Sequence, residues 1–534
     1  RDEGQTMLNT TQGFRGAVTA PHHLAAQAGQ DILAEGGSAV EAMVAMAATI
    51  AVTYPHMNGI GGDGFWLIKR KDAPVQAIFA GGHSAALASR AWYEAAGFTD
   101  AIPTRGAKAA LTVPGSVDGW RAALEAAPSA TPLPLSRLLE HAIYHAEAGF
   151  PVSNNQSQCI TDKIDGLKDV PGFADTYLFG GAIPAAGARF TQPALAATLR
   201  RIAQKGIADY YHGDLARTHA AFLEAHGSPL RLEDFTAYSA RAVTPLAVKT
   251  SKAMLYNMIP PTQGMSSLMI LGIYDRIQTW AKEGVAPIHA LIEATKQAFI
   301  LRNRELGDLS AMRQPPETFL QDQVLDDLAG QIDHKRALPW PYEPKDGDTI
   351  WMGASDAEGT SVSFIQSVYW EFGSGLTCPD TGVFFQNRGA GFGMGDGPNQ
   401  IAPRKVPFHT LNPAMAVFED GRVMAYGTMG GEGQPQTQAA IFARYAYLGQ
   451  ELQQAVTAPR WLLGRTWGDA TTSLKLEARF DPDWITALSD MGHETEILPD
   501  YSDLVGHAGA VVTHLDGLVE AATDPRANGL ALAR

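Results

Sequence analysis

The stretch from Lys345 to Gly375, KDGDTIWMGASDAEGTSVSFIQSVYWEFGSG, constrains the fold more than any other part of the chain. Two apolar-rich runs, Thr349 to Ala354 and Thr360 to Tyr369, flank Ser355-Asp356-Ala357-Glu358-Gly359, and this pattern predicts a β-hairpin. Threonine favours strands and Asp-Gly pairs favour turns, so Asp346-Gly347-Asp348-Thr349 predicts the free start of the first strand. If the bond between Asp348 and Thr349 were cut, one residue would carry both a hydroxyl and a new α-amino group. Such an amine titrates near pH ~7.7–8.0, so it can be neutral and serve as general base for the hydroxyl beside it. Taken locally, an ordinary strand threonine is the simpler reading.

The chain before the hairpin alternates helices and strands. Gly16 to Ala20 predicts a short strand, and His22 to Glu35 a helix stopped by Gly36-Gly37. Ser38 with Glu41 three positions on predicts a capping box for a helix through Val52. The glycine-rich run Pro55 to Asp63 precedes a strand rather than a helix, so it predicts close backbone packing and not a phosphate cradle. Strands follow at Gly64 to Lys69 and Gln76 to Ala80, residues 131 to 240 read as largely helical, and further helices are expected at Ser266 to Ile277 and Pro287 to Arg304. Pro315 to Asp346, rich in proline and charge, reads as a linker leading to Asp348-Thr349.

A net charge of −15 argues against nucleic acid as partner. Ala39 to Val52, the most apolar stretch, carries Glu41 and is too short to span a bilayer, so no membrane partner is expected. Cys159 and Cys378 lie far apart and read as two reduced thiols. No cluster of His, Cys or carboxylate residues has metal-ligand spacing, and neither metal nor cofactor is expected. The polar N-terminus predicts a cytoplasmic protein, or a periplasmic one if a leader was removed.

Several motifs place the hairpin in a known setting. Gly36-Gly37-Ser38-Ala39-Val40-Glu41-Ala42, Gly59-Ile60-Gly61-Gly62-Asp63-Gly64-Phe65, Phe372-Gly373-Ser374-Gly375, Thr381-Gly382, Gly427-Thr428-Met429-Gly430-Gly431, Gly506-His507-Ala508 and Asp524-Pro525-Arg526-Ala527-Asn528-Gly529 occur in order. With Asp348-Thr349 they resemble the γ-glutamyltranspeptidase family of N-terminal-nucleophile (Ntn) hydrolases, from about Gly16 to Gly529. The resemblance implies an α+β fold, a four-layer αββα sandwich formed jointly by two fragments of one proenzyme. Those fragments would be residues 1–348 and 349–534, associated after cleavage between Asp348 and Thr349; a homodimer is compatible with this.

It also implies roles for individual residues. Thr349 would be nucleophile and, through its α-amine, base; Ser367 stands where relatives keep a threonine that contacts the nucleophile, although a plain strand serine is the local reading. Gly430 and Gly431 would offer backbone N–H groups to an oxyanion, where a simple turn is the alternative. The substrate positions depart from true transpeptidases. The arginine that clamps a glutamyl α-carboxylate falls on or beside Gly82, the aspartate for its α-amino group is Gly391, and the Ser-Ser pair is His409-Thr410. His83 reads as a solvated loop residue.

Gln386-Asn387-Arg388 replaces an Asn-Asn-Gln run, and Tyr369 replaces an asparagine. Arg388 supplies a new cation that could hold a carboxylate, with a surface arginine or structural ion pair as the alternative. Arg388, Asn387, Tyr369, His409 and Thr410 are therefore the candidate substrate contacts, with Trp351, Tyr369 and Trp370 supplying aromatic bulk. This set resembles the amidohydrolase and acylase branch of the family and implies hydrolysis of a small acidic amide, oxamate first, through an acyl-enzyme. A γ-glutamyl hydrolase or transpeptidase on glutathione-like compounds, a cephalosporin-type acylase and an uncleaved inactive relative are the alternatives.

Overall fold

The computed structural model describes residues 8–340, 347–464 and 472–534. Its frame is two seven-stranded sheets in which every neighbouring pair is antiparallel. The first sheet runs Leu530–Ala533, Gly16–Ala20, Asp348–Asp356, Ser361–Tyr369, Asp63–Lys69, Gln76–Ala80 and Arg241–Val243. The second runs Thr11–Gly13, Val519–Thr523, Ala508–Thr513, Val423–Thr428, Ala414–Phe418, Ala253–Asn257 and Leu246–Lys249. Segments from before and after Asp348 interleave in both sheets.

The predicted hairpin lies at the centre of the first sheet, and its two-residue period decides what each side chain meets. Ile350, Met352 and Ala354 join the core formed with helices His23–Ala34 and Ala39–Thr53. Trp351 faces the other way, into the core shared with the second sheet and helices Gly264–Ile277, Ala286–Glu305 and Gly433–Ala446. The two sheets touch face to face, with helices against the outer side of each. At the far end of the hairpin, the Asp356 carboxylate accepts hydrogen bonds from Glu358 N (3.0 Å) and Thr360 N (2.9 Å), closing the turn, and from Ala39 N (2.8 Å) at a helix start. That helix carries the predicted capping box, with Ser38 N donating to Glu41 Oε2 at 2.7 Å and Glu41 N to Ser38 Oγ at 3.2 Å.

The glycine-rich loop serves close packing, as its sequence predicts. A β-carbon on Gly62 would lie 2.1 Å from the Ser367 carbonyl oxygen, so only glycine lets this loop lie against the hairpin.

The linker expectation for 315–346 fails in its first half. Pro316–Leu320 forms a 3₁₀ turn and Asp322–Ala329 an α-helix whose buried Leu325 packs against Gly272. Charge on one face of this short helix concealed an apolar stripe on the other. Farther on, Leu338 is tied down through its N–H to Glu293 Oε2 (3.0 Å) and its carbonyl to Lys296 Nζ (2.6 Å). Residues 341–346 of the expected linker lie outside the described residues. Among the described residues no helix is long and apolar enough to cross a membrane.

Candidate active site

Thr349 enters the first sheet at its centre and is fully buried. Pairing with the neighbouring strand shifts register between Asp348 and Ile350, so Thr349 sits at an irregularity in the ladder, and its hydroxyl reaches Gln434 of the helix Gly433–Ala446. Ser367 stands at the matching end of the neighbouring strand. There its hydroxyl makes a short hydrogen bond to the Asp348 carbonyl oxygen, the carbonyl of the bond expected to break. The same Ser367 oxygen accepts from Tyr369 N at 2.7 Å. Thr349 N–H donates to Asp348 Oδ1 at 2.7 Å, and Gln434 Nε2 donates to Thr349 Oγ1 at 3.3 Å.

Burial, with Glu371 nearby as the second cause, raises the Asp348 carboxyl well above the usual carboxylate range. This carboxyl borders a cavity of about 750 Å³ lined by polar residues including Asn155, Lys163, Glu371 and Asp503.

Gly430 and Gly431 follow the strand Val423–Thr428 and precede the helix Gly433–Ala446. Their φ angles of 116° and 50° are left-handed, which glycine adopts without strain. The turn uses its carbonyls: Gly430 O accepts from Gly433 N at 2.7 Å, and Gly431 O from Gln263 Nε2 at 2.7 Å. Gln263 Nε2 also reaches Thr410 O (2.7 Å), while its Oε1 accepts from Arg302, which pairs with Glu432 at 2.6 Å. The chain just before the scissile bond lies in the same place. A β-carbon on Gly347 would sit 2.9 Å from Thr410 Oγ1, 3.3 Å from the Tyr369 ring and 3.4 Å from Gly431 Cα. The uncut chain thus occupies the space expected for substrate.

Arg388 is fully buried, which removes the surface-arginine alternative. Among the described residues no carboxylate lies within 4.0 Å of its guanidinium, so it is no ion pair either. Its contacts are Thr410 Oγ1 from Nη1 (3.3 Å), Ser367 Oγ from Nη2 (3.4 Å) and the face of the Tyr369 ring at 4.2 Å, and its Nε has no partner. Burial lowers its pKa to about 10, with Tyr369 and Asp63 opposing the shift, so the group remains a cation at neutral pH. His409 lies behind it with Nε2 3.1 Å from Asp63 Oδ2. Burial first, then Arg388, lowers the pKa of His409 to about 4, so its ring is neutral at pH 7.

Thr349, Ser367, Asp348, Tyr369, Arg388, Thr410, Gly430 and Gly431 are therefore brought together. Asn387 is not a free contact, because its Oδ1 accepts from Trp370 N (3.0 Å) and its Nδ2 donates to Thr104 O (2.9 Å). Trp351 does not line the site. Its ring fills the space over Gly353, Gly427 and Gly509 between the sheets and donates to Ser363 Oγ at 3.0 Å. His83 is half-buried rather than solvated, with its ring 5.8 Å from that of Tyr238. No side chain could occupy position 82, since a β-carbon there would fall 1.6 Å from Val113 O. The glutamyl carboxylate clamp is thus excluded at that position by backbone packing as well as by residue type.

Two contributors escaped the sequence reading. Gln434, within Gly-Gly-Glu-Gly-Gln, touches the hydroxyl of Thr349. Asp63, inside the glycine-rich motif, gathers Gly82 N (2.9 Å), Gly115 N (3.1 Å) and Gln386 Nε2 (3.1 Å) on one oxygen. The structure also assembles His289, Glu293 and His493, a buried trio with metal-ligand atom types that spacing alone did not reveal. Each is already engaged: Glu293 with Lys296 at 2.7 Å, and the two imidazoles with each other at 2.9 Å. The trio shares no residue with the Thr349 site.

Comparison with known proteins places the chain in a family. The family model described as gamma-glutamyltranspeptidase matches residues 25–533. The chain is 50% identical to the oxamate amidohydrolase proenzyme of Klebsiella pneumoniae over 530 residues, covering 98% of this chain and 99% of that protein. It is 39% identical to the glutathione hydrolase-like YwrD proenzyme of Bacillus subtilis, covering 98% and 100%. Among solved structures, a cephalosporin acylase from Bacillus halodurans superposes with a TM-score of 0.91 at 29% identity, covering 100% of this chain and 98% of that one.

Proposed function

Since the chain belongs to the γ-glutamyltranspeptidase family of amide-bond enzymes, we propose that it cuts itself before Thr349 and then hydrolyses a small amide with an adjacent carboxylate, oxamate first. In self-cleavage the Thr349 hydroxyl attacks the Asp348 carbonyl, which the Ser367 hydroxyl polarises; the Asp348–Thr349 C–N bond breaks as its nitrogen gains the hydroxyl proton, and water hydrolyses the resulting ester. The new end of the 1–348 fragment then leaves the space between Gly431, Thr410 and Tyr369. Fragments 1–348 and 349–534 stay together because both sheets are woven from strands of each. In turnover the freed amine of Thr349 takes the hydroxyl proton as Oγ adds to the amide carbon. The N–H groups of Gly430 and Gly431 hold the oxyanion, the protonated amine passes its proton to the amide nitrogen, ammonia leaves as the C–N bond breaks, and water hydrolyses the ester to release the acid.

The single observation that carries the substrate reading is the placement of Arg388. A buried cation without a carboxylate partner among the described residues is costly, and this one stands 3.4 Å from the Ser367 oxygen that binds the Asp348 carbonyl, the one attacked in self-cleavage. On this reading a carboxylate bonded directly to the scissile carbonyl is the one close enough to pair with Arg388. The α-carboxylate of a γ-glutamyl group, three carbons farther out, overshoots, and its usual clamp positions are Gly82, Gly391 and His409.

The test is ammonia release from oxamate against aniline release from a γ-glutamyl anilide on one cleaved preparation. The kcat/KM for oxamate should be higher by at least about tenfold, the scale of one charge-assisted contact. A preference for the anilide would reinstate the γ-glutamyl reading.

A further inference from the structure

The Thr349 oxygen carries a hydrogen-bond donor whose orientation is fixed by its surroundings. Gln434 lies in the first turn of the helix Gly433–Ala446 and is fully buried. Its Oε1 accepts from Asn412 N at 3.3 Å and from Asn412 Nδ2 at 3.2 Å. A backbone N–H can only donate, so the amide oxygen of Gln434 must face Asn412 and its NH₂ must face Thr349 Oγ1, 3.3 Å away. Asn412 is held in turn: its Oδ1 accepts from Ser267 Oγ (2.7 Å) and Asn257 Nδ2 (3.3 Å), and its carbonyl from Gln438 Nε2 (2.6 Å). The donor cannot turn away without breaking this buried chain of hydrogen bonds.

A donor on a nucleophilic oxygen does not help it attack, because it draws on the lone pair that must form the new bond. It does help the same oxygen to leave, when negative charge collects there. We propose that Gln434 is a catalytic residue for the second half of the reaction, stabilising Thr349 Oγ as the leaving group when water breaks the acyl-enzyme. The proposal rests on Thr349 being the nucleophile. In this step the water oxygen adds to the acyl carbon while its proton passes to the Thr349 amine. The tetrahedral carbon then expels Oγ, the C–Oγ bond breaks under the Gln434 N–H, and the ammonium proton moves to Oγ as the acid departs. No oxidant, reductant or further reactant besides water is needed.

Two variants test this. Gln434→Met removes the donor at similar size, and Gln434→Glu keeps an oxygen for Asn412 while putting an acceptor at Thr349. With oxamate as substrate for the cleaved enzyme, slowed deacylation should lower kcat and KM together by about tenfold to hundredfold and leave kcat/KM within about threefold. Acid-quenched intact mass should then show an acyl group on the 349–534 fragment. A loss of tenfold or more in kcat/KM at unchanged KM, or no change in either constant, would overturn the proposal.

Self-cleavage also passes through an ester on Thr349 Oγ, so a variant that stalls during maturation should be split by hydroxylamine. A stalled chain that resists hydroxylamine, its amide intact, counts against the proposal. If the wild-type protein itself lacks a Thr349 terminus, the reading of Thr349 fails instead, and the two failures are distinguishable.

Discussion

Replacing Thr349 by alanine should leave a single uncut chain without amidase activity. The variant removes one hydroxyl and one methyl group from a fully buried strand residue, a small change that the fold should survive. The hydroxyl nevertheless serves twice, on the Asp348 carbonyl in maturation and on the substrate afterwards. Because its loss also prevents the general base from forming, activity should fall by about 10⁴-fold or more, the scale seen when a nucleophile is deleted. Thr349→Ser should mature and keep part of the activity. Denaturing electrophoresis and ammonia release check both variants. An alanine variant that still separates into two fragments would place the cleavage chemistry on another residue.

The second large effect concerns Arg388. Arg388→Ala should raise KM for oxamate by about tenfold to hundredfold, since a charge-assisted hydrogen bond contributes about 1.5–3 kcal/mol. Hydrolysis of a neutral small amide should change far less, because only the carboxylate contact is lost. Arg388→Lys should recover part of the affinity, as lysine lacks the planar two-point donor set that stacks on Tyr369. The wild-type enzyme offers an internal check. With the Arg388 pKa lowered to about 10 by burial, the cation is present at neutral pH and is lost as pH rises through that value. KM for oxamate should therefore climb toward pH 10. Arg388 also donates to Ser367 Oγ, so these constants must be taken on fully cleaved protein.

The hairpin that carries the site was legible because its signals are local, while the roles of Thr349, Ser367, Gly430 and Gly431 came from the ordered motifs shared with the family. A turn between two apolar runs and a threonine at a strand start put Thr349 and Ser367 on neighbouring strands, although the register shift between Asp348 and Ile350 was not visible in the pattern. What escaped depends on residues distant in sequence. Trp351 lies two residues from Thr349, yet Gly427 and Gly509 open room for its ring between the sheets, so it packs there and not in the substrate space. Asn387 and Arg388 are adjacent and polar, and nothing local says that the first would bind backbone while the second would be buried without a carboxylate.

Gln434 in a first helical turn reads as an ordinary polar residue until Asn412 fixes its amide. His493 meets His289 across 204 residues of chain, beyond any spacing rule. The misread linker has a similar cause, because the short apolar stripe around Leu325 is interrupted by charges and has no visible partner until Gly272 gives Leu325 a place to pack.

The most direct test of the account is the amino-terminal sequence of the smaller fragment in a preparation that releases ammonia from oxamate. The account predicts that it begins Thr349-Ile350-Trp351-Met352, with the larger fragment ending at Asp348. A smaller fragment beginning at any other residue, or an active preparation made of one uncut chain, would contradict it.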